Sequence, residues 1–331
     1  MVFNIRQCCK TGSGAARAFI FTIKGKGPQK GFVPHTQQED RMPADAGMGR
    51  AVAAMQPEAL GVVPPLIFTY WTGSPTPALV LACLGLMRKN NPGWQVRLVQ
   101  EGDQDLIPPP GNPSADESRT QHTADWYKTL LLGRHGGVWL DATAIPTKPV
   151  TSWVSMDSHA VQGWAFEQAQ EAIENWALAA PAAHPLVLKW HSAFREALTV
   201  GPEVYCARLN QSGLLGLAGS SKRWKKHLPY LVQHAAFVKA RQGFDESSVA
   251  LRSTVEPGAP FAHLKAAGWD PEKATHDLFN ATEAELNWPA LVKLRGLDRP
   301  YLPVTEEGYR KSWLGRVLIS GLEKPEFLWA P

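Results

Sequence analysis

Hydrophobic and polar positions fall into an ordered pattern from Val62 onward. Leu66 to Trp71 (LIFTYW) is a short β-rich apolar run between Pro64-Pro65 and Gly73, which predicts a buried strand. Pro77 then opens a helical stretch over Ala78 to Lys89, with Leu79, Cys83, Leu86 and Met87 at helical spacing, and Asn90-Asn91-Pro92-Gly93 stops it. Trp94 to Val99 reads as a second strand with Trp94, Val96 and Leu98 on one face. The three consecutive prolines in Ile107 to Asp116 mark a loop. A helix is expected from Thr123, its N-cap, to His135, with Asp125 in the first turn and Gly136-Gly137 as the stop. Val138 to Leu140 is the third strand. This alternation of strand and helix predicts a parallel α/β sheet. Further strands are expected at Val161 to Phe166 and Trp176 to Ala180, and helices at Pro185 to Leu198 and Leu228 to Arg241. Residues 1–60 are rich in Gly, Gln, Pro and Ala without periodicity and are expected to be a disordered leader.

Composition adds mainly exclusions. With 331 residues, 44% apolar and 19% charged, the chain is of the globular kind that can bury a large core. The net charge of +4 is unevenly placed: six of the 34 basic residues lie in 1–38, where no acidic residue occurs. The remainder carries 28 basic against 30 acidic residues, a net of −2, which gives no electrostatic case for nucleic acid. Four scattered cysteines (Cys8, Cys9, Cys83, Cys206) without a CxxC pair read as free thiols, with palmitoylation of Cys8 and Cys9 as the alternative. No apolar run reaches the roughly 20 residues of a membrane span. The expectation is a soluble, cytoplasmic protein, with organelle targeting by the basic leader and peripheral membrane association left open.

The stretch Ala124 to Thr143 (ADWYKTLLLGRHGGVWLDAT) concentrates the candidate chemistry. Its apolar strand ends on Asp141, at the carboxyl mouth where open α/β sheets bind ligands. Burying a carboxylate there costs several kcal/mol unless it is paired or metal-bound. In extended chain Asp141 and Thr143 point the same way, so together they form an oxygen pair able to hold a divalent cation against a diphosphate. The plain alternative is that Asp141 caps a turn before Ala144. Asp125 and Lys128, three apart on one helix face, read either as a surface ion pair or as a carboxylate for sugar hydroxyls beside a cation for phosphate. Trp71, at the mouth of the first strand, is either packing or a platform for a base. His184 and His191 read as structural, and the basic cluster Lys222, Arg223, Lys225 and Lys226 as a solvated helix start.

Four stretches occur in order: LIFTYWTG at 66–73, AD-x-x-K-x-x-L-L-L at 124–132, GGVWLDAT at 136–143 and ENWALAAPAAHPL at 174–186. Together they resemble the capsular polysaccharide synthesis proteins, a branch of glycosyltransferase family 32. The resemblance spans Val62 to Leu186 and fades beyond. It implies a GT-A-like (Rossmann-like), mostly parallel central sheet flanked by helices, with a helical C-terminal lobe. Residues 61–331 would form one domain, 61–200 being the nucleotide-sugar half and 201–331 the acceptor portion. The implied activity is a nucleotide-sugar-dependent hexosyltransferase acting with retention in polysaccharide or glycoconjugate synthesis. Its partners would be a nucleoside-diphosphate sugar and a glycan, lipid-linked or protein acceptor.

By that resemblance Trp71 stacks on the base, Asp125 binds ribose or sugar hydroxyls, and Asp141 is the first carboxylate of a DxD. Gly136 and Gly137 join the donor site, Asn175 faces the acceptor side of the sugar, and Lys293 in Ala284 to Arg295 contacts phosphate. Asp141 and Thr143 would hold Mn²⁺ or Mg²⁺. Thr143, a neutral ligand, stands where the second carboxylate is expected, so metal affinity should be weaker or the cation partly dispensable; Lys128 stands where an arginine is expected and supplies charge without its bidentate fork. The alternative is a non-catalytic nucleotide-sugar- or glycan-binding relative with a degenerate metal site. A hydrolase or phosphotransferase is disfavoured, since the sequence has no GxxxxGK[ST] loop and no GxSxG elbow.

Overall fold

The computed structural model describes residues 61–103, 106–110, 117–167, 169–214, 229–285 and 287–329. The chain divides into two units, Met1–Asp45 and Ala46–Pro331, and the described residues belong to the second. The expected leader, Cys8, Cys9, the Lys222–Lys226 cluster and much of the Ile107–Asp116 loop lie outside them.

The first half follows the hydrophobic pattern closely. Strand β1 (Leu66–Tyr70), helix α1 (Ala78–Asn90) and strand β2 (Gln95–Val99) begin and end within one residue of the expected bounds. Helix α2 runs over Glu117–His135, longer than expected: Thr123 is a buried mid-helix residue and not the N-cap, so Asp125 lies in the helix body. Strands β3 (Gly137–Leu140), β4 (Ala144–Pro146), β5 (Val161–Phe166), β6 (Ala169–Ile173) and β7 (Ala177–Ala180) follow, then helices α3 (Pro185–Val200) and α4 (Pro202–Gln211). The C-terminal portion contributes α5 (Val232–Arg241), β8 (Val249–Arg252), α6 (Ala262–Ala266), α7 (Pro271–Asn280), β9 (Leu291–Lys293), α8 (Glu306–Lys311) and α9 (Trp313–Ile319).

A seven-stranded sheet has the order β2-β1-β3-β7-β5-β6, with β8 also on β5. β1 is parallel to β2 and β3, β7 runs antiparallel to β3 and to β5, and β5 is parallel to β8 and antiparallel to β6. The fold is therefore mixed α/β with a mostly parallel sheet. β7 and β6 are the antiparallel members of this mostly parallel sheet, and β6, β8 and β9 have no local sequence signature. β9 pairs antiparallel with β4, placing Lys293 opposite Ala144.

Both faces of the central strands are covered, which is why β3 and β7 are wholly apolar and β1 nearly so, while the edge strand β2 carries Gln95 and Arg97. Phe68, Tyr70, Trp139 and Leu178 join a core with Leu131, Trp190 and Phe237 of the α2, α3 and α5 layer. Ile67, Val138, Leu140 and Ala179 point the other way, into a core with Leu86, Leu264, Leu278 and Leu314. Among the described residues no helix is long and apolar enough to cross a membrane.

The turn from α2 into β3 requires glycine. Gly136 has φ of 65°, and its N–H donates to the Leu132 carbonyl at 3.0 Å. A Cβ there would lie 2.4 Å from the Ala182 nitrogen. Gly136→Ala combines a left-handed backbone with a backbone clash and is expected to cost about 2–4 kcal/mol. Gly93 also has a positive φ but has nothing within 4 Å of its virtual Cβ, so Gly93→Ala isolates the conformational part. Thermal melts should show the larger loss for Gly136→Ala, and equal losses would contradict this packing.

Candidate functional site

Strand direction decides where chemistry collects. β1, β3 and β5 run the same way, so their carboxyl ends deliver Trp71, Asp141 and Phe166 to one edge, while antiparallel β7 is entered there through Glu174, Asn175 and Trp176. These residues line a cavity of about 900 Å³, closed on its other sides by α2, by the start of α5, and by residues 293–299. Trp71, Asp125, Asp141, Thr143, Asn175 and Lys293 all border it. The volume is that of an ordinary small-molecule site.

Helix α2 packs over β1 and β3 and brings Asp125 and Lys128 inward. The pair is buried, with side chains 3% and 1% exposed, so the surface-ion-pair reading does not hold. Lys128 Nζ donates to Asp125 Oδ1 at 2.7 Å, lies 3.9 Å from Asp141 Oδ1, and stands 5.4 Å from the centre of the Trp139 ring. Lys128 is thus an internal counter-charge, not a cation reaching out to phosphate. Asn175 Nδ2 donates to the same Asp125 oxygen at 3.0 Å and to Gln233 Oε1 at 2.8 Å, and Gln233 Nε2 donates to the Asp125 carbonyl at 2.6 Å. Asp125 Oδ2 is buried and has no hydrogen-bond partner among the described residues. Burial holds the Asp125 carboxyl above the usual carboxylate range against the pull of Lys128.

Asp141 follows the last residue of β3. Its N–H donates to the Trp176 carbonyl at 2.7 Å, and its own carbonyl accepts from the Ala144 N–H at 2.8 Å. The second bond closes a four-residue turn, so Asp141 and Thr143 are not in extended chain and the alternation argument fails. Thr143 is 2% exposed; its hydroxyl donates to the Leu294 carbonyl at 3.4 Å and accepts from the Arg299 guanidinium at 3.3 Å. The Asp141 carboxylate accepts from Trp139 Nε1 on Oδ1 at 3.0 Å and from Lys293 Nζ on Oδ2 at 2.7 Å. Burial alone would raise this carboxyl, but Lys293 and Lys128 outweigh it and hold it below the usual range. Asp125 and Asp141 are therefore pushed in opposite directions within one cavity, a pattern frequent at functional sites.

Several contributors carry no reading in the sequence. Glu174 is 8% exposed, and burial pushes its carboxyl up to about 8, Lys293 opposing. Arg295 holds Asp298 with bonds of 2.7 to 3.2 Å, whereas Arg299 has no carboxylate within ion-pair distance among the described residues. Tyr230 and His234 complete the wall from α5 and the segment before it. Of these, Arg295 and Arg299 had a signal in their closeness in sequence to Lys293, and Glu174 in its place beside Asn175 in the 174–186 motif.

Other expectations resolve differently. Gly136 and Gly137 sit at the opposite end of β3 from Asp141 and do not border the cavity; they are turn residues, not donor contacts. His184 caps α3, accepting from the Leu186 N–H at 3.2 Å, and His191 packs on Trp126 with ring centres 4.2 Å apart, so both are structural. Cys83 and Cys206 are buried thiols in no disulfide, both pushed up to about 12 by burial. For a divalent cation the donor set does not fit: both oxygens of Asp141 are engaged, one by an ammonium, and Thr143 is hydrogen-bonded to the wall. An ammonium 2.7 Å from the candidate ligand oxygen repels a second cation from the same place.

Residues 56–197 match the family of capsular polysaccharide synthesis proteins. A solved structure titled PaToxG Glycosyltransferase aligns over 57% of this chain and 87% of its own, with 14% identity and a TM-score of 0.33. No curated protein matches the chain. The segment that carries Trp71, Asp125, Asp141 and Asn175 to one sheet edge is thus the segment in which this chain is similar to the capsular polysaccharide synthesis proteins.

Proposed function

We propose that the protein is a GT-A-like hexosyltransferase, related to glycosyltransferase family 32, that moves a sugar from a nucleoside-diphosphate donor to an acceptor hydroxyl. The observation that carries this reading is the convergence of Trp71, Asp125, Asp141 and Lys293 on one cavity of about 900 Å³ at the carboxyl edge of the sheet. The similarity over residues 56–197 favours polysaccharide synthesis as its setting. The acceptor is a glycan, a lipid-linked acceptor or a protein.

Each part of a nucleotide sugar then has a counterpart. Trp71 offers an indole face to the base. Lys293 and Arg299 face the diphosphate. Asp125 Oδ2, a buried acceptor lacking a donor, takes a sugar hydroxyl, which relieves a desolvation cost of about 1–3 kcal/mol. Asn175 holds Asp125 in that orientation. In the transfer the bond from the anomeric carbon to the diphosphate oxygen breaks, its electron pair leaving with the diphosphate. The acceptor oxygen bonds to the same carbon, with retention, and its proton passes to the departing phosphate oxygen. Negative charge grows on the diphosphate as the bond breaks, and cations already fixed beside it lower that barrier. Glu174, neutral below about 8, can donate a hydrogen bond without adding negative charge to a site that must accept an anion.

A binding-only relative is the second reading, favoured by a neutral Thr143 that is hydrogen-bonded into the wall. A panel of UDP- and GDP-sugars separates the two. The transferase reading expects slow donor hydrolysis with at least one of them, and Asp125→Asn should lower kcat/KM about a hundredfold. Binding without turnover of any donor, with or without candidate acceptors, supports the second reading instead.

The raised Glu174 carboxyl sets a pH dependence with a definite sign. A carboxyl whose folded-state pKa is about 8, against 4.5 for the free group, stabilises the fold fully below 4.5 and loses that contribution as pH rises toward 8. Donor affinity should fall over the upper part of the same window, because the new carboxylate faces the phosphates. Relative to Glu174→Gln, the wild type should lose both stability and affinity between these values. Parallel profiles for the two proteins would contradict the assignment.

A further inference from the structure

We infer that Lys293 takes the place a divalent cation would occupy, so that donor binding by this chain does not require a metal. The inference rests on the nucleotide-sugar reading above and goes beyond it, since the resemblance leaves open whether a weakly held cation is needed and names no group that would replace it.

Three observations carry it. The first is the turn at Asp141: with Ala144 N–H bonded back to the Asp141 carbonyl, the Thr143 hydroxyl is committed to Leu294 and Arg299 and leaves one carboxylate where two ligands were expected. The second is the place of Lys293. The β4–β9 ladder sets Lys293 opposite Ala144, the closing residue of that turn, so the backbone fixes the lysine next to Asp141. Its ammonium sits 2.7 Å from Asp141 Oδ2, 12% exposed, and 5.7 Å from the centre of the Trp176 ring. The third is charge. Lys128 already approaches Asp141 Oδ1 at 3.9 Å, and Arg299 stands at the Thr143 hydroxyl. A divalent ion bound by Asp141 would be a further cation in a space that holds three.

The chemistry is sufficient without it. An ammonium has three N–H donors, and one is used on Asp141. Lys293 lines the cavity and keeps donors for a phosphate oxygen, and Arg299 adds a planar donor set on the same side. Together their two positive charges equal that of one divalent cation. Asp141 in this arrangement is a positioning residue that holds the ammonium, and Lys293 is the group that touches substrate.

The test is calorimetric titration of the full chain with UDP and with GDP, in EDTA and in manganese. One of the two should bind with affinities that agree within about threefold between the buffers. Lys293→Met should weaken binding in EDTA about tenfold or more, and Lys293→Arg should retain most of it, since only the first removes a charge-assisted bond. The comparison of buffers uses the wild type alone, so it stands even where a variant fails to fold. Binding that appears only with manganese, together with a bound-manganese resonance signal abolished by Asp141→Asn, overturns the inference and leaves the transferase reading standing. Absence of binding by either nucleotide in both buffers overturns the nucleotide-sugar reading and this inference with it.

Discussion

Asp141, its side chain still 32% exposed at the end of β3, is held between two ammonium groups, and much of the surrounding architecture serves to bring those cations to it. Lys128 reaches it from α2, Lys293 from β9, and Trp139 from its own strand. Each partner comes with structure attached. Lys128 can be buried only because Asp125 is buried with it, and Asp125 in turn is held by Asn175 and Gln233. A single charge at the strand mouth thus ties together α2, the entry to β7, α5 and the late β4–β9 ladder.

That network leaves hydrogen-bonding capacity unused in residues that border the cavity. One carboxylate oxygen of Asp125 has no donor among the described residues, and the Lys293 ammonium has donors beyond the one that Asp141 accepts. Trp71 sits at the end of the neighbouring strand, on the same edge. Under the proposed function these groups supply an acceptor for hydroxyls, donors for phosphate and an aromatic face for a nucleotide sugar.

What the sequence made legible was local. β1, α1, β2 and α3 end at Pro, Gly and Asn signals that act over a few residues, so their bounds were readable. The start of α2 was misplaced because Glu117 to Gln121 add polar turns without hydrophobic periodicity, while Thr123-Ala124-Asp125 imitates a cap. The direction of β7 was not readable, because direction depends on which neighbour a strand pairs with and not on its own residues. The site divides in the same way. Trp71, Asp125, Asp141 and Asn175 were legible because they lie in contiguous motifs. The partnership of Asp141 with Lys293, 152 positions later, depends on a three-residue strand with no periodicity of its own. The Asp141–Ala144 turn stood only as one of two readings for a related reason: Asp-Ala-Thr is as compatible with continued strand as with a turn, and only the closing N–H distinguishes them.

The central claim is that these groups surround one donor molecule, and a crystal structure with a non-hydrolysable nucleotide sugar tests it most directly. The account predicts the base against Trp71, the diphosphate within hydrogen-bonding distance of Lys293 and Arg299, and a sugar hydroxyl on Asp125 Oδ2. Nucleotide density on another surface, with the Trp71–Asp125–Asp141 cavity filled only by solvent, would contradict it.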